Sequence, residues 1–142
     1  MDLYAIYLVS DSVGETADVV IRSALYQFET ENYQLKKYSY VQTTEEIDDI
    51  CAKAAEDEKA MIFYTFVKKE MADYMKSRIE HSNLIGVDIY SPILTGLGQL
   101  FQLPAKEKPG MNRQLNEDYF NRVEAIEFSV KYDDGRDPRG IE

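Results

Sequence analysis

Three groups of residues in the sequence are of types that could do chemistry. The first is Ser10-Asp11-Ser12-Val13-Gly14-Glu15-Thr16, a hydroxyl-rich turn between an apolar run and a segment of helical period. Such a turn can aim backbone N–H groups at one point beside the positive end of a helix dipole, which suits a phosphate or another anion. Ser, Asp and Thr are also ordinary helix caps, and for the turn taken alone capping is the simpler reading. The second group is Lys68-Lys69, two adjacent cations at the start of another helical segment. The third is Asp133-Asp134, with Arg136 beside them. Paired carboxylates can hold Mg²⁺ or act as a base, although adjacent acids in a polar tail are more simply solvated.

Other reactive types are scarce. Cys51 is the only cysteine and His81 the only histidine, so an intrachain disulfide, a thiolate cluster and a His-rich metal site are excluded. Cys51 falls on an apolar helical stripe and is expected to be packed. His81 falls at a helix end and is expected to meet the terminal carbonyls. No G-x-x-x-x-G-K-[ST] loop occurs, and no G-x-G-x-x-G follows a strand. With one histidine at a helix end, no Ser/His/Asp set assembles readily.

Composition narrows the class. The chain has 142 residues and a formal charge of −10, which argues against nucleic acid as a partner. No apolar run approaches the ~20 residues of a membrane span, and Met1-Asp2-Leu3-Tyr4 lacks the basic region of a signal peptide. A cytoplasmic location and no membrane contact are the expectation. Hydrophobic residues make up 44%, enough for a packed core rather than disorder.

These groups need elements to hold them. Leu3–Val9, apolar on both faces, reads as a strand, and Ala17–Phe28 as a helix. Tyr33–Val41 alternates in part and reads as a more exposed strand nearer an edge. Thr43 or Thr44 can cap a helix running to about Glu58, with Ile47, Ile50, Cys51, Ala54 and Ala55 inward and its acids outward. Ala60–Phe66 reads as a central strand. It leads to a helix ending near His81, with Met71, Tyr74, Met75, Arg78 and Ile79 on one stripe. Leu84–Tyr90 reads as a fourth strand. Ser91 then caps a helix with Pro92 in its first turn. Ile93, Leu94, Leu97, Leu100, Phe101 and Leu103 are its expected buried face, and Gly96 and Gly98 predict close packing or a bend. Residues 105–110 read as a loop, Leu115–Val130 as a long helix, and Lys131–Glu142 as a polar tail.

Strands alternating with helices predict an α/β fold: a parallel sheet of about four strands with helices on both faces and right-handed crossovers, plus C-terminal helices. Residues 1–104 form the sheet domain, and 105–142 the loop, the long helix and a connection onward. In such sheets ligands bind outside the carboxyl ends of the strands. That rule brings Ser10–Thr16, Gln42–Thr44, Thr65–Lys69 and Tyr90-Ser91 to one edge. It makes Ser10, Asp11, Ser12, Gly14, Glu15, Thr16, Lys68 and Lys69 candidates for binding a phosphate-bearing ligand.

Three stretches in order resemble one known family. They are Ser10–Ala17, Leu115–Phe128 (Leu-Asn-Glu-Asp-Tyr-Phe-Asn-Arg-Val-Glu-Ala-Ile-Glu-Phe) and Lys131–Gly140 (Lys-Tyr-Asp-Asp-Gly-Arg-Asp-Pro-Arg-Gly). The family is that of the pyruvate, phosphate dikinase and phosphoenolpyruvate synthase regulatory proteins. The resemblance implies a bifunctional enzyme: an ADP-dependent Ser/Thr kinase and a phosphate-dependent phosphorylase that releases pyrophosphate. It implies ADP and inorganic phosphate as ligands, with Mg²⁺ a further candidate, and the dikinase or the synthase as partner. It also implies that the family's nucleotide loop lies beyond Glu142, in a C-terminal domain. On that reading this chain is an N-terminal domain, inactive alone, with Asp133, Asp134 and Arg136 facing its own C-terminal domain and a homodimer open. The alternatives are a flavodoxin-like module for phosphate or nucleotide, and a domain that docks the target protein.

Overall fold

A computed structural model describes residues 3–110. Backbone contacts divide the chain into two units, Met1–Pro109 and Gly110–Glu142. In the first unit, strands and helices alternate throughout. The strands are β1 (Tyr4–Ser10), β2 (Tyr33–Tyr38), β3 (Ala60–Thr65) and β4 (Ile85–Asp88). The helices are α1 (Glu15–Leu25), α2 (Thr44–Glu56), α3 (Lys69–His81) and α4 (Ser91–Phe101). The expected long helix and tail lie outside the described residues.

The sheet is parallel in the order β2-β1-β3-β4. β1 steps outward to β2, and the chain then crosses back to β3 on the other side of β1. The strand order therefore reverses between β1 and β3, as in flavodoxin-like sheets. Ser10 pairs with Thr65, Val9 with Tyr38, and Tyr64 with Asp88, so the carboxyl ends of all four strands lie along one edge.

Side-chain alternation divides the core between the two faces. Ala5, Tyr7, Val9, Ile62, Tyr64 and Phe66 face α2 and α3, meeting Ile47, Ile50, Cys51, Met75 and Ile79. Leu8 faces α1 and meets Ala17 and Ile21, with Ile6, Leu35 and Phe63 alongside. Strands covered on both faces need apolar residues at successive positions, which is why β1 and β3 lack clean alternation. Tyr7, almost fully buried, donates its hydroxyl to Asp57 Oδ2 at 2.6 Å, so its polar tip is satisfied. Gly86 lets α3 approach β4, since a Cβ there would stand 2.5 Å from Ile79 Cδ1.

Most local expectations hold. Thr43 caps α2 in a capping box: its hydroxyl accepts from Glu46 N–H, and Glu46 accepts from Thr43 N–H. β2 is an edge strand and β3 a central one. Cys51 is packed against Met75 Sδ at 3.8 Å. His81 Nδ1 meets Ser77 O at 2.7 Å, in the last turn of α3.

The departures cluster at α4. Ser91 is the first helical residue rather than a cap, and Tyr90 precedes it without a side-chain cap. The Asp88 carboxylate does that work, accepting from Tyr90 and Ser91 N–H at 3.1 and 2.9 Å. The expected buried face is not buried: Ile93, Leu97, Leu100, Phe101 and Leu103 are all exposed. Their spacing made a helix, but no described layer of the first unit covers it. A Cβ on Gly96 would meet nothing within 4 Å, so no close packing requires glycine there. Gly98 serves the helix end instead, its carbonyl accepting from Gln102 and Leu103 N–H while Gln102 turns left-handed. Ala55 of α2 is also exposed, at the margin of an otherwise buried stripe.

Candidate functional site

The Ser10–Thr16 turn follows β1 where the strand order reverses. Its side chains do not cap α1. The N-cap position is Gly14, left-handed at φ 91°, and no side chain accepts from the first turn. A capping role for Ser10, Asp11, Ser12 or Thr16 is therefore corrected. Ser10 Oγ instead accepts from Ser12 N–H at 3.0 Å within the turn. Asp11 leaves the turn altogether and accepts from Val67 N–H at 3.0 Å.

The carbonyls of the turn point inward. Ser10 O accepts from Val41 N–H and Ser12 O from Tyr40 N–H, both at 2.9 Å. Val13 O accepts from the Ser39 hydroxyl at 2.6 Å. Gly14 O receives Asp18 N–H inside the helix. The acceptors are thus spent on the segment after β2, and the first N–H groups of α1, which have no intrahelical partner, receive no side-chain cap. That polarity is what an anion requires of a backbone.

A residue that sequence reasoning passed over stands beside this turn. Lys37, near the end of β2, lies with Cε 3.2 Å from where a Cβ on Gly14 would be. Its ammonium is 4.0 Å from Asp18 Oδ2, and Asp18 is held more closely by Arg22 at 2.6 Å. A signal was available: Lys37 and Ser39 sit at the carboxyl end of a strand assigned to the sheet edge. Thr16 Oγ1 lies 3.4 Å from the Tyr90 hydroxyl, linking the turn to the start of α4.

The two predicted lysines behave differently. Lys68 is exposed at the N-cap position of α3 and makes no ion pair among the described residues. Lys69 is already engaged, its ammonium 3.0 Å from Asp73 Oδ2. The Lys69 N–H donates to Glu107 Oε1 at 3.2 Å, so a carboxylate of the chain itself rests at the start of α3. Between α3 and α4 is a cleft of about 400 Å³, lined by Val67, Lys69, Ser91, Leu94 and Glu107 among others. A larger apolar groove of about 700 Å³ lies at the amino ends of the strands, past Tyr4, Phe28 and Ile85, away from these groups.

Asp11 and Glu15 do not suit direct contact with an anion. Glu15 is exposed in the first turn of α1, where its carboxylate complements the dipole. Asp11 is buried, and that burial pushes its carboxyl above the usual range, while N–H groups of Val67 and Lys68 and the charge of Lys68 oppose the rise. Cys51 is likewise pushed up by burial, which keeps it a thiol. Among the described residues no three His, Cys, Asp or Glu side chains converge as metal ligands, and no helix is long and apolar enough to cross a membrane. Asp133, Asp134 and Arg136 lie outside the described residues.

A parallel sheet whose strand order reverses between β1 and β3, with core packed on both of its faces, defines a doubly wound α/β protein. The chain belongs to the kinase/pyrophosphorylase family, whose model matches residues 6–142. Relatives of 42% identity in Alkaliphilus oremlandii and 44% in Bacillus subtilis each match across 96% of this chain. One of 44% identity in Bacillus velezensis matches across 99%. All three are named, provisionally, as pyruvate, phosphate dikinase regulatory proteins. The chain spans about half the length of these curated relatives, 49%, 51% and 53% respectively.

Proposed function

We propose that this chain forms the α/β part of an enzyme that switches pyruvate, phosphate dikinase, or phosphoenolpyruvate synthase, off and on by phosphorylation. The family and the names of its relatives support that reading. In the kinase direction, a phosphoryl group passes from ADP to a Ser or Thr hydroxyl of the target, and AMP leaves. In the reverse regulation, inorganic phosphate attacks the phosphorylated residue, pyrophosphate leaves and the hydroxyl is restored. The chain's own contribution is to hold phosphate, either free or on the target residue.

The observation that carries this role is the Ser10–Thr16 turn, with its carbonyls bonded to the segment after β2 and a helix start that no side chain caps. Ser12, Thr16 and the N–H groups of Glu15 and Thr16 donate to phosphate oxygens. Lys37 and Lys68 supply charge from either side of the turn. Nucleotide binding, Mg²⁺ and the residue that transfers the phosphoryl group belong to the rest of the full-length enzyme, in the cytoplasm. Asp133, Asp134 and Arg136 are proposed to meet that remainder.

Isothermal titration of the 142-residue chain with phosphate, pyrophosphate, AMP and ADP tests the site. Phosphate or pyrophosphate should bind, and Lys37→Gln or Ser10→Ala/Ser12→Ala should weaken binding about tenfold, since a hydrogen bond to a charged group contributes about 1.5–3 kcal/mol. No binding by the wild type would sink the reading. With phosphorylated dikinase and phosphate, the chain alone should show no turnover.

One observation favours a second role. α4 and the residues after it, through Ala105, carry no charge, and five large apolar side chains there are exposed. In a chain of charge −10 that is a surface suited to docking the target. Co-sedimentation with the dikinase at low and moderate salt, with Leu97→Asp as control, decides it. Docking should survive salt and be lost in the variant.

A further inference from the structure

We propose that Asp11 is a positioning residue: its buried carboxylate holds the β3–α3 turn against the β1–α1 turn and so fixes Lys68 beside the anion site. The inference rests on the phosphate reading of that edge and gives Asp11 a role other than contact with the ligand.

Asp11 is 4% exposed, in a stretch where Ser10 is also buried and Ser12 is half-buried. A carboxylate there is costly unless it is bonded. Its partner is Val67 N–H at 3.0 Å, across the reversal between β1 and β3 and 56 residues away in the chain. The backbone N–H of Lys68 also bears on it, and the Lys68 ammonium is the charge that most favours its ionised form. Lys68 follows Val67 directly and stands at the N-cap position of α3, so the Asp11–Val67 bond also fixes the backbone from which its side chain extends.

A positioning carboxylate makes a different prediction from a ligand or a packing residue. Asn in its place keeps an oxygen that accepts from Val67 N–H, so the turn is held and only the charge is lost. Ala loses both. A residue needed only for bulk would also tolerate Asn better than Ala, but it would leave the Val67 amide indifferent to pH; a group that contacts the anion would respond to the loss of charge directly.

The test uses ¹⁵N-labelled chain in wild-type, Asp11→Asn and Asp11→Ala forms. In the wild type the Val67 amide resonance should titrate with pH, at a midpoint above that of an ordinary aspartate, and in Asp11→Asn it should not. Exchange protection of Val67 N–H should fall about tenfold or more in Asp11→Ala and be kept in Asp11→Asn, because only the first removes a hydrogen bond to a charged group. Phosphate affinity should follow the same order: kept or tightened in Asn, weakened about tenfold in Ala. Should Asp11→Ala fail to fold, the wild-type titration and the Asn variant still decide. A Val67 amide that ignores pH, or Asn and Ala variants that behave alike while the wild type binds phosphate, would overturn the role of Asp11. Absence of phosphate binding by the wild type, with Val67 responding as expected, would overturn the phosphate reading and with it the positioning of Lys68 for that ligand.

Discussion

Gly14 shows how one residue serves two ends. At φ 91° it occupies a conformation that a side chain enters at a cost of about 1–2 kcal/mol. A Cβ there would also meet Lys37 Cε at 3.2 Å. Gly14→Ala is therefore expected to lower stability by about 1–2 kcal/mol in urea melts and to weaken phosphate binding by displacing the lysine. Asp11 makes a prediction with a definite sign. Its native carboxyl sits above its ordinary value, so the folded state holds a proton that the unfolded chain has released. Stability from this residue is therefore gained as pH falls through the raised value and lost as pH rises through it. Melts of wild type and Asp11→Asn between about pH 7 and about pH 4 should show the wild type gaining relative to the variant toward acid. Glu46 acts in the opposite sense, because backbone N–H groups of Gln42 and Thr43 hold its carboxyl low. Its contribution is present above the ordinary carboxylate range and is lost as pH falls through the lowered value.

Among the elements, α2 and α4 form a contrast. α2 carries start signals that match its surroundings: Thr43 and Glu46 bond reciprocally, and its apolar stripe meets α3 and the sheet. Thr43→Ala should cost about 1 kcal/mol and lower the melting temperature by a few degrees. α4 is the most apolar of the four described helices, yet none of its residues is buried. Leu100→Asp should change the stability of this chain by no more than about 0.5 kcal/mol, where a covered leucine would cost several. Thermal melts of the purified chain check this, and a large loss would mean that α4 is covered in solution. Periodicity therefore located α4 correctly and misjudged its cover, because a repeat of apolar residues records what a helix can bury and not what lies opposite.

At the scale of the molecule, the larger core among the described residues lies between the two inner strands and the layer of α2 and α3. Ile62 is fully buried on β3 against that layer, so Ile62→Ala should cost about 2–5 kcal/mol and is the substitution most expected to unfold the chain. The alternation of elements, the inner and edge strands, the α2 cap and the packed Cys51 were all legible in the sequence. They depend on period, on start signals and on residue type, which act over a few residues. The resemblance carried by Ser10–Ala17 and the later stretches pointed to the family that the whole-chain match establishes. Contacts between distant segments had no such local trace. That Asp11 would reach Val67 rather than cap α1, and that Lys37 would lie over Gly14, follow from strand register. The sequence by itself determined which elements form and which edge could bind an anion. Only the tertiary structure decided which side chains face that edge, because pairing β1 with both β2 and β3 is what brings residues far apart in the chain within bonding distance.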